Sequence, residues 1–381
     1  MKLIFKLTFA ALLLSSFQVF AQDAAPAPQT TDPFATEPEA EEKEEEEPSF
    51  SLTGYVDAYY QANLSSVDGD GDDKSYIPFG SSFTGATNTF GIGNVNLLAE
   101  KTMGKVSFVG QVGFGPRAVE GNGDSNIDGT GNLASTVQQL FVSYSPSESV
   151  TFTLGNFGTF VGYEVIDAPA NMNYSMSHLF SNGPFYHTGA KVDFSFGEGF
   201  GAMVGVFNDT DSKVDVIEGK HFGGQLSYSN DQIGVYLNAI TGPETEDVSG
   251  EDNLNEFQVD LTATFQASES FMLGLNASSY STSVDGNNAG GFFGTALYAT
   301  IATSEDFDFS LRGEYFASTA ADGDTSDQPS VIALTASGNF KVGDLRIVPE
   351  IRLDSGSNDF HGFGEDDDSA IAFLLAGIYS F

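Results

Sequence analysis

Ile371-Ala-Phe-Leu-Leu-Ala-Gly-Ile-Tyr-Ser-Phe381 closes the sequence. Side chains alternate along a strand, so Tyr379, Gly377, Leu375, Phe373 and Ile371 share one face with Phe381. That face is apolar and aromatic, and the chain stops on it. Termini of water-soluble domains fray into solvent, so a bare aromatic last residue asks for apolar surroundings. Two surroundings satisfy it. One is the interior of a soluble β-sandwich. The other is lipid around a barrel strand whose outward face carries interfacial aromatics. The rest of the sequence favours the second.

At the other end, Lys2 and Lys6 precede an apolar run from Leu7 to Phe20, and Val19-Phe20-Ala21 has small-residue cleavage character. Residues 1–21 therefore read as a secretory signal peptide. No other run reaches the ~18 apolar residues that a membrane helix needs. A chain that crosses a bilayer without helices must use a closed barrel, because no other strand arrangement pairs every backbone group there. The chain has no cysteine, so it has neither disulfides nor a lipid-modified cysteine. Residues 22–48 are rich in Ala, Pro and Thr, then acidic from Glu37 to Glu47 with only Lys43 opposing. Like charges repel and nothing there can build a core, so a disordered periplasmic segment is expected, as a spacer or a tether.

From Phe50 onward, strand-like runs recur. Tight turns are expected at Met103-Gly104, Ser145–Ser149, Gly197–Gly199, Asn230-Asp231, Ala267–Glu269, Ser304-Glu305 and Val342–Asp344. Between them lie longer polar loops at 65–87, 119–133, 159–184, 209–219, 243–253, 284–289, 319–328 and 355–368. This rhythm predicts an all-β fold over 49–381, a transmembrane up-and-down antiparallel β-barrel of about 16 strands with both termini on the periplasmic side. A soluble sandwich mixes its connections with less order.

Alternation then separates inside from outside. Phe307, Phe309, Leu311 and Tyr315 oppose Asp306, Asp308, Ser310, Arg312 and Glu314; Leu345, Ile347, Ile351 and Leu353 oppose Arg346, Glu350 and Arg352. Phe257, Val259, Leu261 and Phe265 likewise oppose Asp260 and its neighbours, and Val192, Phe194 and Phe196 oppose Lys191 and Asp193. An Arg or Lys facing lipid at mid-depth costs about 2–4 kcal/mol, so the charged faces must point inward. Arg117, Lys191, Asp193, Asp260, Arg312, Glu314, Arg346, Glu350 and Arg352 are the candidate pore-lining groups. Sixteen strands enclose more space than side chains fill, which predicts a water-filled channel. Basic and acidic groups opposed across it would set up a transverse field.

The formal net charge is −39, and losing Lys2 and Lys6 makes it −41. Such acidity argues against nucleic acid as a partner and favours cations near the surface, or simply loop solvation. Enzyme signatures are missing. The four histidines have no metal-ligand spacing, and there is no Gly-x-Ser-x-Gly elbow. Asp68, Asp70 and Asp72 open like a calcium loop, but the sixth position is Asp73 and the twelfth Phe79. Weak Ca²⁺ binding there competes with plain loop solvation, and no other cofactor is expected. The loop 159–184 is the longest and carries more apolar residues than solvation needs. Such loops pack on something and carry function. It is expected to fold into the barrel as a constriction bearing Tyr163, Glu164, Asp167, Asn171, Asn173 and Tyr174. Packing over the mouth or against a neighbouring subunit is the other reading.

Two resemblances follow from these residues. The terminal strand, with Phe381, Tyr379, Leu375 and Phe373, resembles the C-terminal assembly signal of bacterial outer-membrane proteins. Gly155-Asn-Phe-Gly-Thr-Phe-Val-Gly-Tyr-Glu-Val-Ile-Asp-Ala-Pro169, Asn173-Tyr-Ser-Met-Ser177 and Phe185-Tyr-His-Thr-Gly189 resemble the β-barrel porin-2 (OmpL-like) family of Gram-negative porins. The second resemblance implies an outer-membrane channel for small hydrophilic solutes or ions. Its expected partners are outer-membrane lipid, lipopolysaccharide, the barrel assembly machinery and the solutes; a homotrimer is one assembly it allows. The rival is a non-conducting adhesion or receptor barrel displaying acidic loops.

Overall fold

The computed structural model describes residues 50–65, 81–123, 133–214, 219–243, 254–357 and 369–381. The signal peptide, the acidic segment 22–48 and the Asp68, Asp70 and Asp72 loop lie outside them. Sixteen antiparallel strands form one closed barrel, each paired with its sequence neighbours. In chain order they are β1 (Phe50–Asn63), β2 (Thr89–Met103), β3 (Val106–Phe114), β4 (Val137–Ser147), β5 (Val150–Gly158) and β6 (Tyr186–Gly197). Then come β7 (Phe200–Phe207), β8 (His221–Ser229), β9 (Ile233–Pro243), β10 (Leu254–Ser268) and β11 (Phe271–Val284). The last are β12 (Asn287–Ala302), β13 (Phe307–Thr319), β14 (Ser330–Val342), β15 (Leu345–Gly356) and β16 (Ser369–Ser380). The terminal strands close the ring in register Val56↔Tyr379 and Asn63↔Ala372. Gly54 and Phe381 exchange both backbone hydrogen bonds at 2.9 Å. No sheet edge is left exposed, and pairing alone satisfies the strand backbones.

The period of two holds around the ring. Phe90, Leu140, Leu154, Phe196, Leu226, Leu297 and Tyr379 point outward and are exposed, while Asp308, Arg312, Glu314, Glu350 and Arg352 point inward and are buried. Large apolar side chains exposed on strands all around the ring suit lipid. None of the described helices is long and apolar enough to cross a membrane. The inward face of β16 differs from the charged faces of β13 and β15. Ala370, Ala372, Leu374, Ala376 and Ile378 are all buried there, against material inside the barrel.

Two boundaries differ from the sequence reading. The expected loop 284–289 is a two-residue turn, because Asp285 (φ 51°) and Gly286 (φ 83°) both take the left-handed conformation that a tight hairpin requires. The strict alternation of short turns and long loops therefore breaks once. A β-branched residue pays about 1–2 kcal/mol in that conformation. Gly286→Val should accordingly lower the urea midpoint of the barrel refolded in vesicles, whereas Gly286→Asn should lower it less. The strand expected to run to residue 118 stops at Phe114. Gly115 (φ 134°) and Pro116 turn it into a short helix, α1 (Pro116–Gly121). Arg117 is thus a helical residue, not a wall residue.

A loop docked inside the barrel

The loop 159–184 begins at the end of β5 and returns to β6. It contains a 3-10 turn at Ala168–Ala170 and one helical turn, α2 (His178–Ser181), whose N-cap Ser177 accepts a hydrogen bond from Phe180 N. Val161, Ile166, Ala168, Tyr174, Met176, Leu179 and Phe180 are buried. The apolar inward faces supply much of that burial. Ala168 and Tyr174 cluster with Val348, Leu374, Ala376 and Ile378, and Leu179 packs with Phe292, Ala296, Phe316 and Ala372. Gly294 leaves on β12 the space that Leu179 occupies, and Gly274 on β11 the space of the Tyr163 ring; a Cβ at either would overlap the loop. Gly294→Val should therefore displace α2, read as faster protease cleavage within 159–184.

A buried irregular backbone needs partners for its N–H and C=O groups, and here the wall provides them. The Glu350 carboxylate accepts from Tyr174 N at 2.8 Å and Ser175 N at 3.1 Å. Glu314 accepts from His178 N at 2.9 Å and Leu179 N at 2.8 Å. Arg312 donates to Ser175 O and pairs with Glu164, both at 2.6 Å. Arg352 donates to Met176 O at 2.6 Å and pairs with Asp354 at 2.7 Å, while His178 Nε2 lies 2.7 Å from Asp354. Arg346 donates to Ala168 O at 2.7 Å. Arg117 donates to Ile166 O at 3.1 Å and lies over the Phe83 and Tyr174 rings.

The sequence-expected loop residues all meet partners. Tyr163 stacks on Tyr298 with ring centroids 4.4 Å apart. Asp167 accepts from Tyr55 at 3.1 Å and from Gln111 and Gln138 at 3.0 Å. Asn173 donates to Ser337 at 2.7 Å, and Tyr174 donates to Asp57 at 2.5 Å. Asn171 instead braces the loop itself through Val165 O at 2.6 Å.

The expected charges opposed across open water are not what these groups form. Arg312, Glu314, Glu350 and Arg352 are 1–3 % exposed, and they meet the loop at contact distance. The loop occupies the interior beside their strands. Lys191 and Asp193 are the exception. They pair with each other at 3.1 Å, each 16–20 % exposed, apart from the loop anchors. Asp260 accepts from Gly162 N at 3.0 Å and from Asn238 and Asn276. Asp57, His178, Asp354 and Tyr298 belong to the same arrangement and were not singled out from sequence. Asp57 and Asp354 could have been, since they continue the inward period of β1 and β15. Among the described residues no group of three or more His, Cys, Asp or Glu is placed to hold a metal ion.

Where the loop rejoins the wall, Asp211 of the neighbouring loop accepts from Phe185 N at 2.8 Å and Tyr186 N at 2.9 Å. Desolvation raises its carboxyl to about 7. A raised folded value means that the folded state binds the proton more tightly, so this clasp weakens as pH rises from about 4 to about 7 and stays weakened above. Cleavage in loop 208–220 should be slower at pH 5 than at pH 8, and Asp211→Asn should abolish the difference.

A family model for putative beta-barrel porin-2, OmpL-like proteins matches residues 49–381. Comparison with curated proteins gives no match. Among solved structures, the anion-selective porin from Comamonas acidovorans aligns with TM-score 0.57 at 13 % identity, covering 88 % of this chain and 100 % of that one. The outer-membrane channel DcaP of Acinetobacter baumannii aligns at 0.56 and 13 %, covering 88 % and 97 %. OmpT of Vibrio cholerae aligns at 0.55 and 12 %, covering 88 % and 98 %. At these identities the likeness is one of fold. The family match spans the whole barrel, and the chain belongs to the putative beta-barrel porin-2, OmpL-like family of outer-membrane porins.

Proposed function

We propose that the barrel passes small hydrophilic solutes and ions passively, with loop 159–184 as its constriction and a mild preference for cations. The observation that carries this reading is the loop's position inside the ring, bonded to the inward charges of β13 and β15. The preference for cations rests on the −39 net charge, which raises cation concentration at the mouths. The mechanism needs no cofactor, no catalytic group and no energy source. The outward belt sits in outer-membrane lipid beside lipopolysaccharide, placed there by the barrel assembly machinery, and a homotrimer is compatible with it.

Single-channel recording of the refolded protein under a KCl gradient tests the reading. Stable open steps with a reversal potential on the potassium side are expected. A reversal potential at zero or on the chloride side contradicts the cation preference. The near-complete burial of Arg312, Glu350 and Asp354 favours a second reading, a receptor barrel in which the loop is a plug. A folded barrel that never conducts would select it.

A further inference from the structure

The anchors of loop 159–184 are unevenly distributed around the ring. Toward β13, β14, β15 and β1 the loop is tied by Arg312, Glu314, Ser337, Arg346, Glu350 and Asp57. Toward β10 and β11, among the described residues, Gly162 N donates to Asp260 at 3.0 Å, and the Tyr163 ring rests against Gly274. Between those strands and the loop lies a narrow cleft with room for about one water molecule. Its two walls differ in chemistry. Gln258, Asp260, Asn276 and Ser278 form the strand side, while Val161, Leu179, Phe180 and Pro184 form the loop side. Polar inward groups continue along the neighbouring strands, where Gln225 donates to Asn238 and Asn238 donates to Asp260.

Glu164, Asp193 and Asp354 pair with Arg312, Lys191 and Arg352. Asp260 takes its hydrogen bonds from Gly162 N, Asn238 and Asn276, all neutral, and among the described residues no Lys or Arg pairs with it. Asp167, Glu314 and Glu350 also bond neutral donors, but Asp260 is the acid that lines this space. A buried carboxylate without a cationic partner leaves a negative potential in the space beside it, which attracts small cations and repels anions.

We propose that solutes cross along the seam between loop 159–184 and β10–β11, with Asp260 as the specificity-determining residue that admits small cations and neutral polar solutes over anions. This rests on the porin reading above. The loop's heavily bonded side is the fixed wall of the path, and its lightly bonded side moves when a solute passes. Tyr163 lies across the seam, so its swing away from Gly274 opens the route.

The chain has no cysteine, so single cysteines can report the route. Ser278→Cys stands in the seam, and Ala376→Cys stands on the bonded side. In a planar bilayer under a KCl gradient, a charged thiol reagent should reduce the conductance of Ser278→Cys and leave Ala376→Cys unchanged. Asp260→Asn should shift the reversal potential toward zero, since it removes the charge and keeps an acceptor for Gly162 N. Block at Ala376→Cys with Ser278→Cys inert would overturn the route. An unchanged reversal potential in Asp260→Asn would overturn the role of that residue. Should Asp260→Asn fail to fold, reagents of opposite charge on Ser278→Cys read the same selectivity: an anionic adduct should raise cation preference and a cationic one lower it, and equal effects would overturn it. A wild-type barrel without any conductance would overturn the porin reading, and the route with it.

Discussion

Arg312→Ala should detach loop 159–184 from the wall and raise single-channel conductance severalfold. Arg312 reaches from β13 into the loop at four points. It pairs with Glu164 at 2.6 Å and donates to Ser175 O, Met176 O and Ser175 Oγ. Truncation leaves Glu164 as a buried charge without its partner and Ser175 O without a donor, while Met176 O keeps Arg352. Breaking a buried pair from one side costs about 3–5 kcal/mol. The loop can avoid that cost by leaving, because the strands keep their own backbone pairing. The expected signature is larger conductance together with rapid cleavage in 159–184, in a protein that still migrates as a folded, heat-modifiable barrel. The double variant Arg312→Met with Glu164→Gln should recover part of the loop's protection, since it removes both charges rather than one. Arg312→Lys should fall between, because an ammonium lacks the planar fork that serves several acceptors at once. Wild-type conductance and wild-type protection in Arg312→Ala would show that the loop is held by its apolar packing alone.

The ring was legible because its signal is repeated. Sixteen segments each carry a period of two, and one misjudged turn does not change the count. Asp285-Gly286 is itself a strong hairpin dipeptide, but Ser283, Asn287 and Asn288 around it are polar, so the hairpin tip reads as loop. The docking of 159–184 was legible only as a tendency. Its apolar residues demand a surface, yet Glu350 and Glu314 recognise backbone N–H groups, which every residue but proline carries and no motif reveals. The inward face of β16 was the overlooked clue. Ala370, Ala372, Leu374, Ala376 and Ile378 suit a water-filled channel poorly, and they match a loop that buries Ala168, Tyr174 and Leu179. Arg117 lies off the wall because the strand stops at Phe114 and Gly115-Pro116 starts α1, yet its side chain still reaches the interior from there. The pairing of acids with bases at contact distance also has no one-dimensional trace, since Glu164 and Arg312 are 148 residues apart.

Deleting Phe381 should cause the largest loss of folded barrel. Phe381 and Gly54 exchange two backbone hydrogen bonds at the join between β16 and β1. A Cβ at Gly54 would overlap the backbone Asn96 O of β2 and the Phe381 ring. Without Phe381, Gly54 loses both partners on the strand pair that converts a sheet into a ring, and an unpaired backbone group in an apolar medium costs several kcal/mol. The outward aromatic face loses its last member as well, leaving Tyr379. Heat-modifiable barrel in the outer membrane should fall sharply, while Phe381→Tyr should preserve it. Two causes predict that fall, and refolding in vesicles separates them. Gly54→Leu keeps the terminal residue, and with it anything that recognises the C-terminus, but crowds both Asn96 O of β2 and the ring, so it strains the joins of β1 alone. If the deletion fails to refold into lipid vesicles from urea, where nothing recognises the C-terminus, closure of the ring is the step that Phe381 serves. If the deletion refolds in vesicles yet is absent from the outer membrane of cells, Phe381 serves recognition during assembly. Undiminished barrel from both variants would mean that the Gly54–Phe381 pair contributes nothing that the nine-residue register from Tyr55 to Asn63 does not already supply.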